Sequence, residues 1–322
     1  MSGSTVKQTI NLQTPPSSWD ELNDEQLRFI FQLQQKGVGI IEYKLKIFLH
    51  LMGLKILNRA EKKEDGSFTY HFRRKGILPC IRREVLNMEA WEVDYWIKTY
   101  LSFLDEPGHL MSLPFDYWKR WRKRFKAPGT LMLDVTYEQY SNAQNYLTAY
   151  TQQLQLAESM LNNGSHPKAV KRIQQQALDS RAGFLSHLFI APQWQLTDSD
   201  TRSTRLNVHR AYRYSNQLAE RHKCYFKAAP DYLFWVAVRF FQGCLEHFKK
   251  ELPDLFKEGD KVDDRTVWMM EVDTINAVQK YQGYNKQQEV YDSEAVFVFG
   301  ILNNMIQEAK EVEKMNSKIR KK

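Results

Sequence analysis

At 322 residues the chain is long enough for two domains of ordinary size or one extended helical array. A hydrophobic fraction of 43% with eight Trp, sixteen Tyr and eighteen Phe excludes a disordered chain, and three scattered cysteines (Cys80, Cys224, Cys244) exclude a disulfide framework and point to a reducing compartment. The net charge of +8 would gather polyanions or acidic protein surfaces around the molecule, but it bears on association and not on fold.

Residues 1 to 17 have neither the basic-then-apolar order nor the cleavage site of a signal peptide, so they read as a flexible arm on a cytoplasmic protein. The domain that follows, 18 to 130, is expected to be helical with a small β-hairpin. Ser18-Trp19-Asp20-Glu21 has the spacing of a capping box, and Asn23 with Gln26 repeats it; Lys36 before Gly37 closes the helix. A second helix carries Ile41, Leu45, Phe48, Met52 and Ile56 on one stripe. Glu42, Lys44, Lys46 and Lys55 interrupt the apolar stretch from Ile40 to Leu57, so it does not cross a membrane. Asp65-Gly66 followed by alternating Phe68, Tyr70 and Phe72 predicts a turn and a strand. From Arg82 to Leu104, Leu86, Ala90, Val93, Ile97, Leu101 and Leu104 predict a long helix, broken by Pro107-Gly108.

After Pro114 comes Tyr117-Trp118-Lys119-Arg120-Trp121-Arg122-Lys123-Arg124-Phe125-Lys126, with six cations in eight residues. Trp118, Trp121 and Phe125 stand at i, i+3 and i+7, the spacing of one helical face. The plain reading is a helix with aromatics in the core and a solvated basic face. The functional reading makes Lys119, Arg120, Arg122, Lys123, Arg124 and Lys126 a partner-binding surface, for an acidic protein first and for nucleic acid second. Leu131 to Val135 suggests a lone strand.

Tyr140, Ala143, Leu147, Tyr150, Leu154, Ala157 and Leu161 alternate steps of three and four. Asn163-Gly164 ends that helix and Pro167 starts another bearing Val170, Ile173, Ala177, Phe184 and Leu188, which predicts an antiparallel helical hairpin within 131 to 195. A polar run near Thr197 to Thr201 reads as a linker. The C-terminal helical domain, 200 to 313, is expected to hold helices at roughly Arg205 to Phe226, after Pro230, around Trp268 to Tyr281 and after Asp292-Ser293, ahead of a basic tail at 314 to 322 that frays from Lys318. The fold class is therefore mainly α: a multi-helix array or bundle with an antiparallel helical hairpin and a small β-hairpin insertion.

Catalytic signatures are missing from the sequence. Gly37-Val38-Gly39 lacks the third glycine and the Lys-Ser/Thr pair that hold phosphates, and no Gly-x-Ser-x-Gly elbow occurs. His222, Cys224, Cys244 and His247 are a chemically suitable zinc set, but His222 and Cys224 would diverge on a helix and Cys244 falls on an apolar stripe with Phe240, Phe241 and Phe248. No enzyme activity, metal or cofactor is expected.

The order of elements in the second half carries a resemblance. A helix ending in Phe184-Leu185-Ser186-His187-Leu188-Phe189-Ile190-Ala191-Pro192 precedes Pro230-Asp231-Tyr232-Leu233-Phe234-Trp235-Val236-Ala237-Val238-Arg239-Phe240-Phe241. An amphipathic segment opening at Trp268 and a last helix from Asp292 to Glu313 follow. Over residues 130 to 313 this resembles uncharacterised proteins encoded in tail-morphogenesis gene blocks of bacteriophages and prophages of the Bacteroidetes. The resemblance implies a non-enzymatic structural or assembly role, with helical surfaces that bind another tail protein in the host cytoplasm or the virion. Its runner-up is a nucleic-acid-associated protein of a mobile element using residues 117 to 126.

Overall fold

The structure is a computed structural model that describes residues 14–56, 61–62, 68–74, 85–105, 108–191, 193–196, 208–211, 213–256 and 267–320. Contacts divide the chain into two compact units, residues 1–109 and 110–322. The fold is mainly helical, as the spacing of apolar residues predicts, and no helix among the described residues is long and apolar enough to cross a membrane.

In the first unit, Trp19–Glu21 is a single 3-10 turn, and α1 (Asp24–Gln35) starts at the second capping box and not at Ser18. Asn23 accepts from the Gln26 N–H while the Gln26 side chain accepts from the Asn23 N–H. Lys36 caps the helix and Gly37 takes the left-handed turn expected of it. Helix α2 (Ile40–Leu51) is shorter than its apolar run, because Gly53 turns at φ +61° and the chain re-emerges as strand β1 (Leu54–Ile56). Its stripe is rotated from the predicted one: Ile47 and Phe48 are buried and Ile41 is exposed.

Strand β3 (Phe68–Arg74) is the centre of an antiparallel sheet. On one edge it pairs with β1 and with β2 (Glu61–Lys62), on the other with β4 (Val85–Glu89). The long helix predicted from Arg82 is therefore corrected. Residues 85–89 extend as β4, and only Ala90–Tyr100 forms α3, which opens on a capping box between Glu89 and Glu92. The Asp65-Gly66 turn lies outside the described residues.

The second unit is built on the predicted helical hairpin, α4 (Tyr137–Asn162) and α5 (Pro167–Leu188), joined at Gly164. Thr136 caps α4 and Pro167 opens α5. Against the proximal half of this hairpin pack α6 (Asn216–Lys227), α7 (Asp231–Glu251), α8 (Val267–Gln282), α9 (Gln287–Asp292) and α10 (Ala295–Arg320). Phe184 meets Phe234 and Phe241 edge-on, Tyr140 stacks on Phe241, and Phe299 stands edge-on to Tyr140. Residues 184–189, and all of 233–241 but Trp235 and Arg239, are buried because they form this core. Helix α10 continues to Arg320, beyond the predicted end at Glu313 and into the expected frayed tail.

Strands are more numerous than predicted. Residues 117–126 form an antiparallel hairpin of β5 (Tyr117–Arg120) and β6 (Lys123–Lys126), and β7 (Gln193–Leu196) pairs with β8 (Val208–Ala211). The segment from Leu131, predicted as a strand, is instead a 3-10 turn over Thr130–Met132 with Leu131 and Met132 at positive φ. The helix expected from Arg205 begins only at Asn216.

Candidate functional site

Two clusters of polar and charged side chains stand out in the second unit. The first lies inside the helical layers. His187, on the last turn of α5, is 1% exposed, and its ring stacks on Tyr146 of α4 at 5.1 Å. Its Nδ1 lies 2.6 Å from the Tyr214 hydroxyl and its Nε2 lies 3.0 Å from Glu220 Oε1. The Asn142 amide donates to the Tyr214 hydroxyl at 3.0 Å, leaving the tyrosine proton for His187. Nε2–H then donates to Glu220, so the network assigns a neutral Nε2–H tautomer.

Burial holds the His187 pKa below its ordinary value; the hydrogen bond and charge of Glu220 act against this, and Lys223 adds to it. Burial works against ionisation of Glu220 too, yet the hydrogen bonds from Tyr146 and His187 and the charge of Lys223 leave its carboxyl below the usual range. Lys223 closes the network on α5 through Asp179 at 2.8 Å. With His187 sealed from solvent, the cluster has the composition of a proton relay and the enclosure of a structural bolt. Gly183 is required beside it, because a β-carbon there would lie 2.4 Å from the Tyr146 ring.

The second cluster is the basic segment, and its secondary structure differs from the predicted helix. Trp118 pairs with Phe125, Lys119 with Arg124 and Arg120 with Lys123 across a turn of Trp121 and Arg122. Residues paired across two strands share a face. Trp118 and Phe125 accordingly turn inward together, onto Phe226 of α6, each with a ring separation of 4.8 Å. The i, i+7 spacing that imitates a helix is the separation of two residues facing each other across a tight hairpin. The backbone of Lys126 exchanges both hydrogen bonds with Ile190, tying β6 to the end of α5.

Of the six predicted site residues, Lys126 stands apart, since its ammonium pairs with Asp134 at 2.6 Å. Lys119, Arg120, Arg122, Lys123 and Arg124 crowd the distal part of the hairpin, Lys119 and Arg124 on the face opposite Trp118 and Phe125 and Arg120 and Lys123 on the same face as them, and among the described residues none pairs with a carboxylate. Arg124 lies over the Tyr117 ring at 3.7 Å and Lys123 over the Tyr225 ring at 5.3 Å. Lys123 also approaches His222 Nε2 at 3.1 Å, and burial followed by this ammonium keeps the imidazole pKa below its ordinary value. Trp121 is 81% exposed at the turn, with its edge toward Tyr225 at 5.8 Å and Arg120 at 5.6 Å from its ring.

Tyr225 and His222 escape the sequence reading of this surface, because nothing local marks α6 as the hairpin's seat. The set weighed for zinc is dispersed: Cys224 is exposed on α6, Cys244 is buried in α7, and among the described residues no three His, Cys, Asp or Glu are grouped to hold a metal. Cys80 lies outside the described residues. No family model matches this chain, and neither a curated protein nor a solved structure is detectably similar to it.

Proposed function

We propose that this is a non-enzymatic binding protein that holds single-stranded nucleic acid on the β5–β6 hairpin, with Trp121 as a stacking platform and Lys119, Arg120, Arg122, Lys123 and Arg124 as phosphate contacts. The observation that carries this reading is Trp121: a large apolar ring presented to solvent, at φ +51°, amid five cations that pair with no carboxylate among the described residues. A left-handed conformation costs a residue with a β-carbon roughly 1–2 kcal/mol, so a tryptophan is an expensive choice for a turn that glycine or asparagine would make easily. Like charges directly opposite each other across strands destabilise as well, and both distal pairs, Lys119 with Arg124 and Arg120 with Lys123, are of that kind. A polyanion that carries flat apolar groups offsets the charge repulsion and covers the exposed ring, and the backbone cost is what holds that ring at the tip.

That combination favours nucleic acid over an acidic protein, reversing the order suggested by sequence alone. Phosphates at regular spacing neutralise the cations, and an unpaired base covers the indole. The resemblance to tail-block proteins spans 130 to 313 and leaves the hairpin outside it, so it favours neither partner.

The test is fluorescence anisotropy with a labelled oligothymidylate, titrated at several salt concentrations. Five phosphate contacts predict a slope of log affinity against log salt of about −3.5, and neutralising Lys119, Arg120, Lys123 and Arg124 to Gln leaves about −0.7. Trp121→Ala should weaken binding by roughly 5- to 160-fold at an unchanged slope, the loss of one stacked base. Binding of polyglutamate without binding of the oligonucleotide would transfer the site to an acidic protein partner and overturn the assignment.

A further inference from the structure

The last three turns of α10 carry a feature that the hairpin reading does not use. Up to Ile306 the helix is part of the core, with Ala295, Val298, Phe299 and Ile301 buried. Tyr281 holds Glu308 at 2.7 Å, Lys310 reaches Asp254, and from 311 to 319 every residue is exposed. This projecting stretch is not polar throughout. Val312, Met315 and Ile319 are 51%, 57% and 71% exposed, and they follow one another by three and four residues, which places them on one stripe.

With Val312 and Ile319 at heptad position a and Met315 at d, the flanking g positions are Glu311 and Lys318. The two candidate pairings of this stripe with itself differ in charge. In a parallel pair each g residue faces an e residue, and the e residue within reach of Glu311 is the neutral Asn316. In an antiparallel pair g faces g, so Glu311 meets Lys318 of the second copy and Lys318 meets its Glu311, giving two opposite-charge contacts by symmetry. The same pairing brings Val312 and Met315 of one copy against Met315 and Val312 of the other, and it sets each Ile319 beside Glu308 of the other copy, outside the apolar contact.

We infer that the C-terminal part of α10 is a self-association surface on which two copies of this chain pair antiparallel through Val312 and Met315, with Glu311 and Lys318 setting the direction. Two apolar residues a side bury far less than the roughly 1,600 Å² of a standard interface, so the dimer is weak and forms as concentration rises. The inference rests on α10 alone and stands or falls independently of nucleic-acid binding.

Sedimentation equilibrium of the full chain over a wide concentration range tests it. The wild type should move from the monomer mass of 38.2 kDa toward twice that value as concentration rises. Val312→Asp with Met315→Asp should stay monomeric with an unchanged helical circular dichroism spectrum. Glu311→Lys and Lys318→Glu, each on its own, oppose like charges and should weaken association roughly fivefold. Mixing these two variants, or combining them in one chain, restores both opposite-charge contacts and should restore association. A wild type that remains monomeric at every concentration, or a mixture no tighter than either variant alone, would overturn the inference.

Discussion

The two hairpins of the second unit solve the problem of folding back on themselves in opposite ways. The helical hairpin of α4 and α5 is locally consistent along its length: Thr136 caps its first helix, Gly164 turns it at φ +67° without penalty, and Pro167 starts the return. The hairpin of β5 and β6 is locally costly. A tryptophan occupies its positive-φ turn, and like charges oppose each other at both distal pairs. What holds it is not its own sequence but a seat, the Phe226 ring on α6 under Trp118 and Phe125 and the backbone exchange with Ile190. An element that costs this much in isolation and is held by its neighbours is where function is expected to reside.

The sharpest break of this contrast comes from the seat. Phe226→Ala removes the fully buried ring common to Trp118, Phe125 and Phe189 and should destabilise the second unit by about 3–5 kcal/mol in urea unfolding, together with loss of oligonucleotide binding. Leu161→Ala, at the exposed tip of the helical hairpin, should change stability by no more than about 0.5 kcal/mol.

Next in size is the closest approach within the helical hairpin. Gly183→Ala forces the Tyr146 ring away and should lower stability by about 1–3 kcal/mol. It also disturbs the Tyr146 bond to Glu220, and binding at the β-hairpin should be spared, since the two clusters are built from different side chains.

A pH titration of stability, run on the wild type and on the His187→Gln and His222→Gln variants, separates the polar bolt from the basic surface, since both imidazoles are lowered and contribute in the same direction. The folded His187 has a pKa below its ordinary 6.5, so the unfolded chain takes up a proton before the folded one does. Stability contributed by neutral His187 is therefore fully present above about pH 6.5 and is lost as pH falls below it. Glu220, also lowered from 4.5, loses its contribution in the same direction at more acid pH. The slope below pH 6.5 cannot exceed about 1.4 kcal/mol per pH unit for one histidine, and His187→Gln should reduce it.

A small gain in stability is the most telling effect for the β-hairpin. Trp121→Gly relieves the positive φ and should stabilise the protein by about 1 kcal/mol, while affinity for oligothymidylate falls. A variant that loses both stability and affinity would show the indole to be a packing residue.

Much of the fold is legible in the sequence because long helices repeat their signal. Over the 26 residues of α4 the seam recurs seven times, and the capping and breaking residues at Thr136, Gly164 and Pro167 agree with it. Short strands offer no such redundancy. In β5 and β6 the four-residue strands place Trp118, Trp121 and Phe125 at a spacing that a helix would also produce, and only pairing across the turn shows that Trp118 and Phe125 face inward while Trp121 faces water. Likewise Val85–Glu89 has an acceptable helical pattern, but the edge of β3 offers it a ladder of hydrogen bonds, and it extends.

By itself, then, the sequence determined the helical class, the α4–α5 hairpin and the presence of six cations around three aromatics, because periodicity, caps and charge are properties of neighbouring residues. Tertiary structure alone decided which cations are free and which one is bound to Asp134, why Trp121 is exposed, and that His187, Tyr214 and Glu220 meet. Those outcomes depend on contacts between residues far apart in the chain, whose energies no local pattern contains.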